Sequence, residues 1–222
     1  MTGYWYNIIV LGDSIAYGVW DEEGGWVQRL RKYLDKIMMS HSGLFYLIYN
    51  LGISSGTTDQ LTRRFESEVH ERMIEEADEF IIIFEIGTND ASYVKKHGTF
   101  QVDKEKFSEN IKWLINKAKK LSRKVVFLSL LPVDEKFTSP LPDTEDLGEL
   151  FYKNNYIKDY NGTLAKICKT NKVMFIDLFS EFQKHDYKGL LYDGLHPNAK
   201  GHKVIYDIIK NYLIKNKVIF NS

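Results

Sequence analysis

Residues 80–86 read Phe-Ile-Ile-Ile-Phe-Glu-Ile, seven positions with a single polar side chain. A strand with one wet face alternates apolar and polar residues, because successive side chains point to opposite sides of the sheet. A run that is apolar on both sides belongs in a parallel sheet covered by helices above and below. Further apolar runs at 8–11, 44–50, 125–131 and 173–177 are separated by stretches with helical spacing. Trp26, Leu30, Tyr33, Leu34 and Ile37 make one stripe, and Leu61, Phe65, Val69 and Met73 a second. Phe107, Ile111, Leu114, Ile115, Ala118 and Leu121 make a third, with Asp103 placed as its N-cap. A further helix is expected over 147–170, and Ile205, Ile208, Ile209, Tyr212 and Leu213 mark the last. Strand and helix alternate five times. That predicts an α/β fold with a five-stranded parallel sheet, helices on both faces and right-handed crossovers. No repeat, low-complexity tract or linker interrupts residues 1–222, which read as a single domain.

Lys plus Arg equals Asp plus Glu at 30 each, so no net charge draws the chain toward nucleic acid or an anionic membrane. Cys168 is the one cysteine, so an internal disulfide is impossible. No apolar run approaches the ~20 residues that cross a bilayer. Residues 1–7 carry no basic region or small-residue cleavage site and run into the first strand, so a cytoplasmic location is expected. Neither Gly-x-Gly-x-x-Gly nor Gly-x-x-x-x-Gly-Lys occurs, and no Cys/His cluster suggests zinc, so no cofactor or metal is expected. His41, His70, His97, His185 and His202 stand in no pairing pattern.

Three of the predicted strands end in polar turns: Gly12-Asp13-Ser14, Gly52, and Gly87-Thr88-Asn89-Asp90. A fourth such turn, Asp193-Gly194-Leu195-His196, comes late. The ends of parallel strands share one edge, where ligands bind. That edge would gather a serine, a histidine, an aspartate, a glycine amide and an asparagine amide. These are the parts of acyl-transfer hydrolysis: nucleophile, base, orienting acid and oxyanion donors. Asp193 and His196 are three residues apart, close enough for both side chains to face one way. An aspartate on one imidazole nitrogen leaves the other free to take the proton of Ser14. The spacing by itself also describes a helix N-cap followed by a surface histidine.

The four blocks, in this order and spanning residues 12 to 197, are similar to those of the SGNH (GDSL) hydrolase superfamily. The resemblance implies a flavodoxin-like three-layer α/β/α fold. It implies a serine esterase or acylhydrolase acting on a small-molecule ester, with Ser14 as nucleophile, His196 as base and Asp193 as its partner. It also implies an oxyanion hole from the backbone N–H groups of Ser14 and Gly52 and the side-chain amide of Asn89. Ile15 stands where the short signature has Leu. The residue types suit these roles. Gly52 has no Cβ to keep a ligand from its N–H, and Asn89 is a donor without charge. Asp13 and Asp90 read as turn and network residues, because an acid beside the nucleophile opposes an oxyanion unless its charge is paired.

Gly52-Ile53-Ser54-Ser55-Gly56 also matches Gly-x-Ser-x-Gly, the nucleophile elbow of α/β-hydrolases. That fold needs more strands before its elbow than the two runs here, and it leaves Ser14 and Asn89 without a role. Ser54 and Ser55 therefore read as turn and N-cap residues. Trp20 and Tyr93 lie near the motif turns and are expected to line a substrate pocket. So are Pro132 and Val133, which open an irregular segment, 132–147, placed to form a rim or lid. Within the same superfamily the alternatives are a deacetylase of acetylated carbohydrate and a non-catalytic ligand-binding module. Outside it stands a flavin-phosphate binder at the Ser14 turn.

Overall fold

The computed structural model describes residues 3–40, 43–142 and 147–220. His41 and positions 143–146 of the expected rim segment lie outside the described residues. In chain order, β1 (Tyr4–Gly12) leads into a single-turn α1 (Ser14–Tyr17) and then α2 (Gly25–Ser40). β2 (Leu44–Gly52) precedes α3 (Thr58–His70). β3 (Glu79–Glu85) is followed by two short strands, β4 (Tyr93–Val94) and β5 (Thr99–Phe100), and by α4 (Lys104–Leu121). β6 (Lys124–Leu128) leads through α5 (Glu135–Thr138), β7 (Leu141–Pro142) and β8 (Glu149–Phe151) to α6 (Asn154–Thr170). β9 (Met174–Ile176), α7 (Leu178–Phe182), a 3₁₀ turn at Tyr187–Leu190 and α8 (Ala199–Lys215) complete the chain.

The five expected strands form one parallel sheet in the order β2-β1-β3-β6-β9. Ile8 and Val10 face one side with Ile81, Ile83, Val126 and Leu128, against α2, α7 and α8. Ile9 and Leu11 face the other with Ile82, Phe84, Val125 and Phe127, against α3, α4 and α6. Both sides of β1, β3 and β6 are dry over most of their length, which is why their sequences show no alternation, while the edge strand β2 is partly exposed, Leu47 at 39%. Each large side chain so buried contributes about 1.5–3 kcal/mol. Asp103 caps α4, its carboxylate accepting from the Lys106 N–H at 2.8 Å. No helix among the described residues is long and apolar enough to cross a membrane.

Two expectations are corrected. The helix expected over 147–170 begins at Asn154, because residues 149–151 form β8. β8 pairs antiparallel with β4 and β7, and β5 extends this small second sheet. Strands of two or three residues are too short to show a period, and cross-strand pairing overrides the local helical tendency. Ser54 and Ser55 do not cap α3. Thr57 does, in a capping box with Gln60.

Register decides what lies along the edge at the carboxyl ends of the strands. Gly12 is paired with Gly52 on one side and Glu85 on the other, so β1, β2 and β3 end in line. Their following turns stand side by side, at the point where the strand order reverses around β1.

Candidate active site

β1 ends where Gly12 leaves no room for a side chain. A Cβ there would lie 2.4 Å from the Glu85 carbonyl oxygen and 2.5 Å from Ala16 Cβ. Asp13 then turns the chain, its Oδ1 accepting from the Ile15 N–H at 2.9 Å, and Ser14 takes the first position of α1. Ser14 is 6% exposed.

The turn over 193–196 is shaped by its own acid. Asp193 Oδ1 accepts from the N–H groups of Leu195 and His196 at 3.0 and 2.8 Å. Oδ2 lies 2.7 Å from His196 Nδ1. A carboxylate only accepts, so Nδ1 carries a proton, and in the neutral ring Nε2 then holds a lone pair. Nε2 lies 3.0 Å from Ser14 Oγ, which donates to it. Ser14, His196 and Asp193 thus form a continuous relay across 182 positions of chain. Burial works to raise the Asp193 pKa, but the bonds from His196, the charge its ring carries when protonated and the Leu195 N–H outweigh it. The carboxyl is held well below the usual carboxylate range and stays ionised beside the ring.

Asn89 lies in the turn after β3, 7% exposed. Its Nδ2 donates to the Gly56 carbonyl at 2.9 Å, and its Oδ1 accepts from the Tyr152 hydroxyl at 3.1 Å. Gly56 O can only accept, so the orientation of the carboxamide is settled by chemistry. Nδ2 carries a second proton, a candidate donor to an oxyanion. Gly52, the other expected donor, stands at the end of β2. Its N–H donates to Asn50 Oδ1 at 3.0 Å, while Asn50 Nδ2 donates to the Ala16 carbonyl at 2.8 Å. A Cβ at Gly52 would lie 2.3 Å from Tyr17 N and 2.7 Å from the Asp13 carbonyl oxygen. Arg64 ties the same edge together from α3, donating to the carbonyls of Gly12 and Leu51 at 3.0 and 2.9 Å.

Two acids lie beneath Ser14. Asp13 and Glu85 are completely buried and hydrogen-bonded to each other. Asp13 Oδ2 and Glu85 Oε2 meet no donor from the rest of the described protein, so a proton carried by one acid and shared with the other satisfies both. Burial raises Asp13 to about 6, against the opposing Ile15 N–H, Glu85 hydrogen bond and His196 charge. Burial, then the Asp13 charge, raises Glu85 well above its ordinary value. The acid next to Ser14 therefore has its charge shared with a protonated partner. Asp90 is buried too and raised to about 7 by that burial, although it accepts the N–H and hydroxyl of Thr58. It anchors the Asn89 turn to the start of α3.

Raised folded-state values mean that the folded protein binds these protons more tightly than the unfolded chain. The stability they contribute is complete below the ordinary carboxylate range and is lost as pH rises through about 6 and beyond. Glu85→Gln keeps a donor to Asp13 and cannot titrate. Urea unfolding at pH 5, 7 and 9 is expected to show a flatter fall in stability for this variant, by about 1–2 kcal/mol. Parallel curves for the two proteins would mean that the acids share no proton.

The remaining expected pocket residues separate. Trp20 lies at the site, its Nε1–H donating to Asp193 Oδ2 at 3.1 Å. Tyr93 packs into the small sheet against Phe100 and Phe151, with ring centroids 5.7 and 6.5 Å away. Pro132 is buried, and Val133, 1% exposed, belongs to the core beneath the rim. Asn154 holds the Val133 backbone, accepting from its N–H at 3.0 Å and donating to its carbonyl at 2.8 Å. His202 gains a partner that no local pattern announced, the Val19 carbonyl at 2.9 Å. Tyr152 and Asn50 were equally unmarked, because their partners are remote in sequence or belong to a different element.

A sequence profile of the GDSL-like Lipase/Acylhydrolase family matches residues 10–204. The GDSL esterase/lipase CPRD49 of Arabidopsis thaliana is 29% identical over 130 residues, 56% of this chain and 50% of that protein. The isoamyl acetate-hydrolyzing esterase of Saccharomyces cerevisiae is 30% identical over 126 residues, 55% of this chain and 51% of that protein. The matched region spans about half the length of both relatives. Among solved structures, the lipase/acylhydrolase from Enterococcus faecalis superposes with a TM-score of 0.69 at 21% identity, covering 95% of each chain. That last likeness is one of fold.

Proposed function

The chain belongs to the GDSL-like lipase/acylhydrolase family, and on that premise we propose that it is a serine esterase working through an acyl-enzyme. The observation that carries the reading is the relay itself, with Ser14 Oγ 3.0 Å from His196 Nε2 and Nδ1 2.7 Å from Asp193. Ser14 Oγ attacks the ester carbonyl carbon while its proton passes to His196 Nε2. The ring becomes positive and is stabilised by the ionised Asp193. Negative charge grows on the former carbonyl oxygen, where the second Nδ2 proton of Asn89 and the Ser14 N–H are the proposed donors. The tetrahedral adduct collapses, the C–O bond to the alcohol breaks, and the imidazolium returns the proton to the departing oxygen. Water then enters by the same route, releases the acid and restores the Ser14 hydroxyl.

A fluorophosphonate tests the nucleophile, because an unactivated serine does not react with it. One equivalent of adduct is expected, located on Ser14 by peptide mass spectrometry. A p-nitrophenyl ester series of increasing chain length, run beside acetylated sugars, identifies the acyl group and alcohol. No adduct and no turnover on any ester would leave a ligand-binding module as the better description. A second reading, removal of acetyl groups from carbohydrate, is favoured by the aromatic mouth of the site. Trp20 and Tyr192 are 56% and 68% exposed with ring centroids 5.6 Å apart, a surface on which a pyranose ring can stack. Higher kcat/KM on acetylated sugars than on p-nitrophenyl acetate is the outcome that selects it.

A further inference from the structure

The Asp193 carboxylate accepts four hydrogen bonds. Three come from the 193–196 turn itself: the N–H groups of Leu195 and His196 on Oδ1, and His196 Nδ1 on Oδ2. The fourth crosses 173 positions of chain, from Trp20 Nε1 to Oδ2 at 3.1 Å. Donors within the turn move with it. The indole ties the carboxylate to a different part of the fold, the loop between α1 and α2.

That loop is pinned on both sides of Trp20. His202 Nε2–H donates to the Val19 carbonyl at 2.9 Å. Asp21 accepts Arg29 Nε and Nη2, both at 3.0 Å, together with the N–H groups of Glu23 and Gly25 at 3.0 and 3.2 Å. The Tyr192 ring, adjacent to Asp193 in the chain, lies against the indole. A half-exposed side chain is thus placed by two anchors and a ring contact. Such fixed outer groups orient the residues that do the chemistry.

We infer that Trp20 is a positioning residue for the reaction, its indole N–H holding the Asp193 carboxylate with Oδ2 aimed at His196 Nδ1, an inference that rests on the esterase reading above. The N–H also draws charge from Oδ2. Without it, Oδ2 presents more negative charge to the ring and favours the protonated imidazole. Asp13, from the turn after β1, and His202, from α8, also interact electrostatically with this ring, and both remain when Trp20 is replaced.

Two variants separate the N–H from the ring. Trp20→Phe keeps an aromatic ring beside Tyr192, and Trp20→Leu removes ring and donor together. Both are expected to move the acid limb of the kcat/KM–pH profile upward by about half a unit. Both should lower kcat roughly tenfold, with KM for p-nitrophenyl acetate nearly unchanged. In the substrate-free protein, the downfield NMR resonance of the His196 Nδ1 proton should move in both. A Phe variant with wild-type limb, kcat and resonance, beside an impaired Leu variant, would assign the effect to the ring and overturn the inference. The resonance needs no substrate. Wild-type protein that neither hydrolyses an ester nor takes up fluorophosphonate would therefore fail the esterase reading, while the resonance still decides for or against Trp20.

Discussion

Ser14→Ala is expected to fold normally and to lose ester turnover by about four to six orders of magnitude. The first half follows from packing. Ser14 Oγ bonds His196 Nε2 at the start of a short helix whose turn is held by other groups, Asp13 on the Ile15 N–H and Asn50 on the Ala16 carbonyl. Removing Oγ forfeits one neutral hydrogen bond, worth about 0.5–1.5 kcal/mol. The second half follows from the chemistry, since without the hydroxyl no acyl-enzyme forms and the base has nothing to activate but water. Steady-state kinetics beside a thermal unfolding curve make the comparison. Turnover within tenfold of wild type would remove Ser14 from the nucleophile's role. A collapsed unfolding curve would show instead that the hydroxyl serves the fold.

Gly52→Ala is expected to lower kcat by about a hundredfold and stability by about 1–3 kcal/mol. Alanine keeps the backbone N–H, so a glycine that matters as a donor alone should tolerate the change. The geometry argues for the opposite result. The new Cβ would lie 2.3 Å from Tyr17 N, 2.7 Å from the Asp13 carbonyl oxygen and 2.8 Å from Tyr17 Cα. All three are backbone atoms of the segment that carries Ser14, so relief comes from shifting the nucleophile away from His196. Displacements of about 1 Å cost roughly a hundredfold in rate. The check is kcat for the ester on which wild type is most active, with urea unfolding alongside. Wild-type kcat in this variant would show that the edge yields without moving Ser14.

The parallel sheet was legible because its signal is local and strong. Runs such as Ile8 to Leu11 and Phe80 to Phe84 stay apolar on both faces, and the stripes of α2, α3, α4 and α8 recur at helical spacing. The relay was legible for a different reason. Ser14, Asn89, Asp193 and His196 sit in polar turns at the ends of apolar runs or close to the C-terminus, and parallel strands bring such turns to one edge. The small sheet was not legible. Leu150 faces Val94 and Leu141 in β-pairs, yet neither partner announces itself in a stretch of two or three residues.

Residue order by itself determined the layers and the polar turns that share one sheet edge, because hydrophobic periodicity and turn chemistry act over a few neighbouring positions, while the roles expected of the residues there came from the resemblance to SGNH hydrolases. Tertiary structure alone decided how those residues are used. The alignment of Gly12 with Gly52 and Glu85 makes the glycine a space for the nucleophile's backbone and pairs two buried acids beneath it. The arrival of Tyr152 at Asn89 and of Trp20 at Asp193, across 63 and 173 positions, orients an amide and a carboxylate. These are contacts between distant segments, set by strand register and loop anchoring, and no local pattern encodes them.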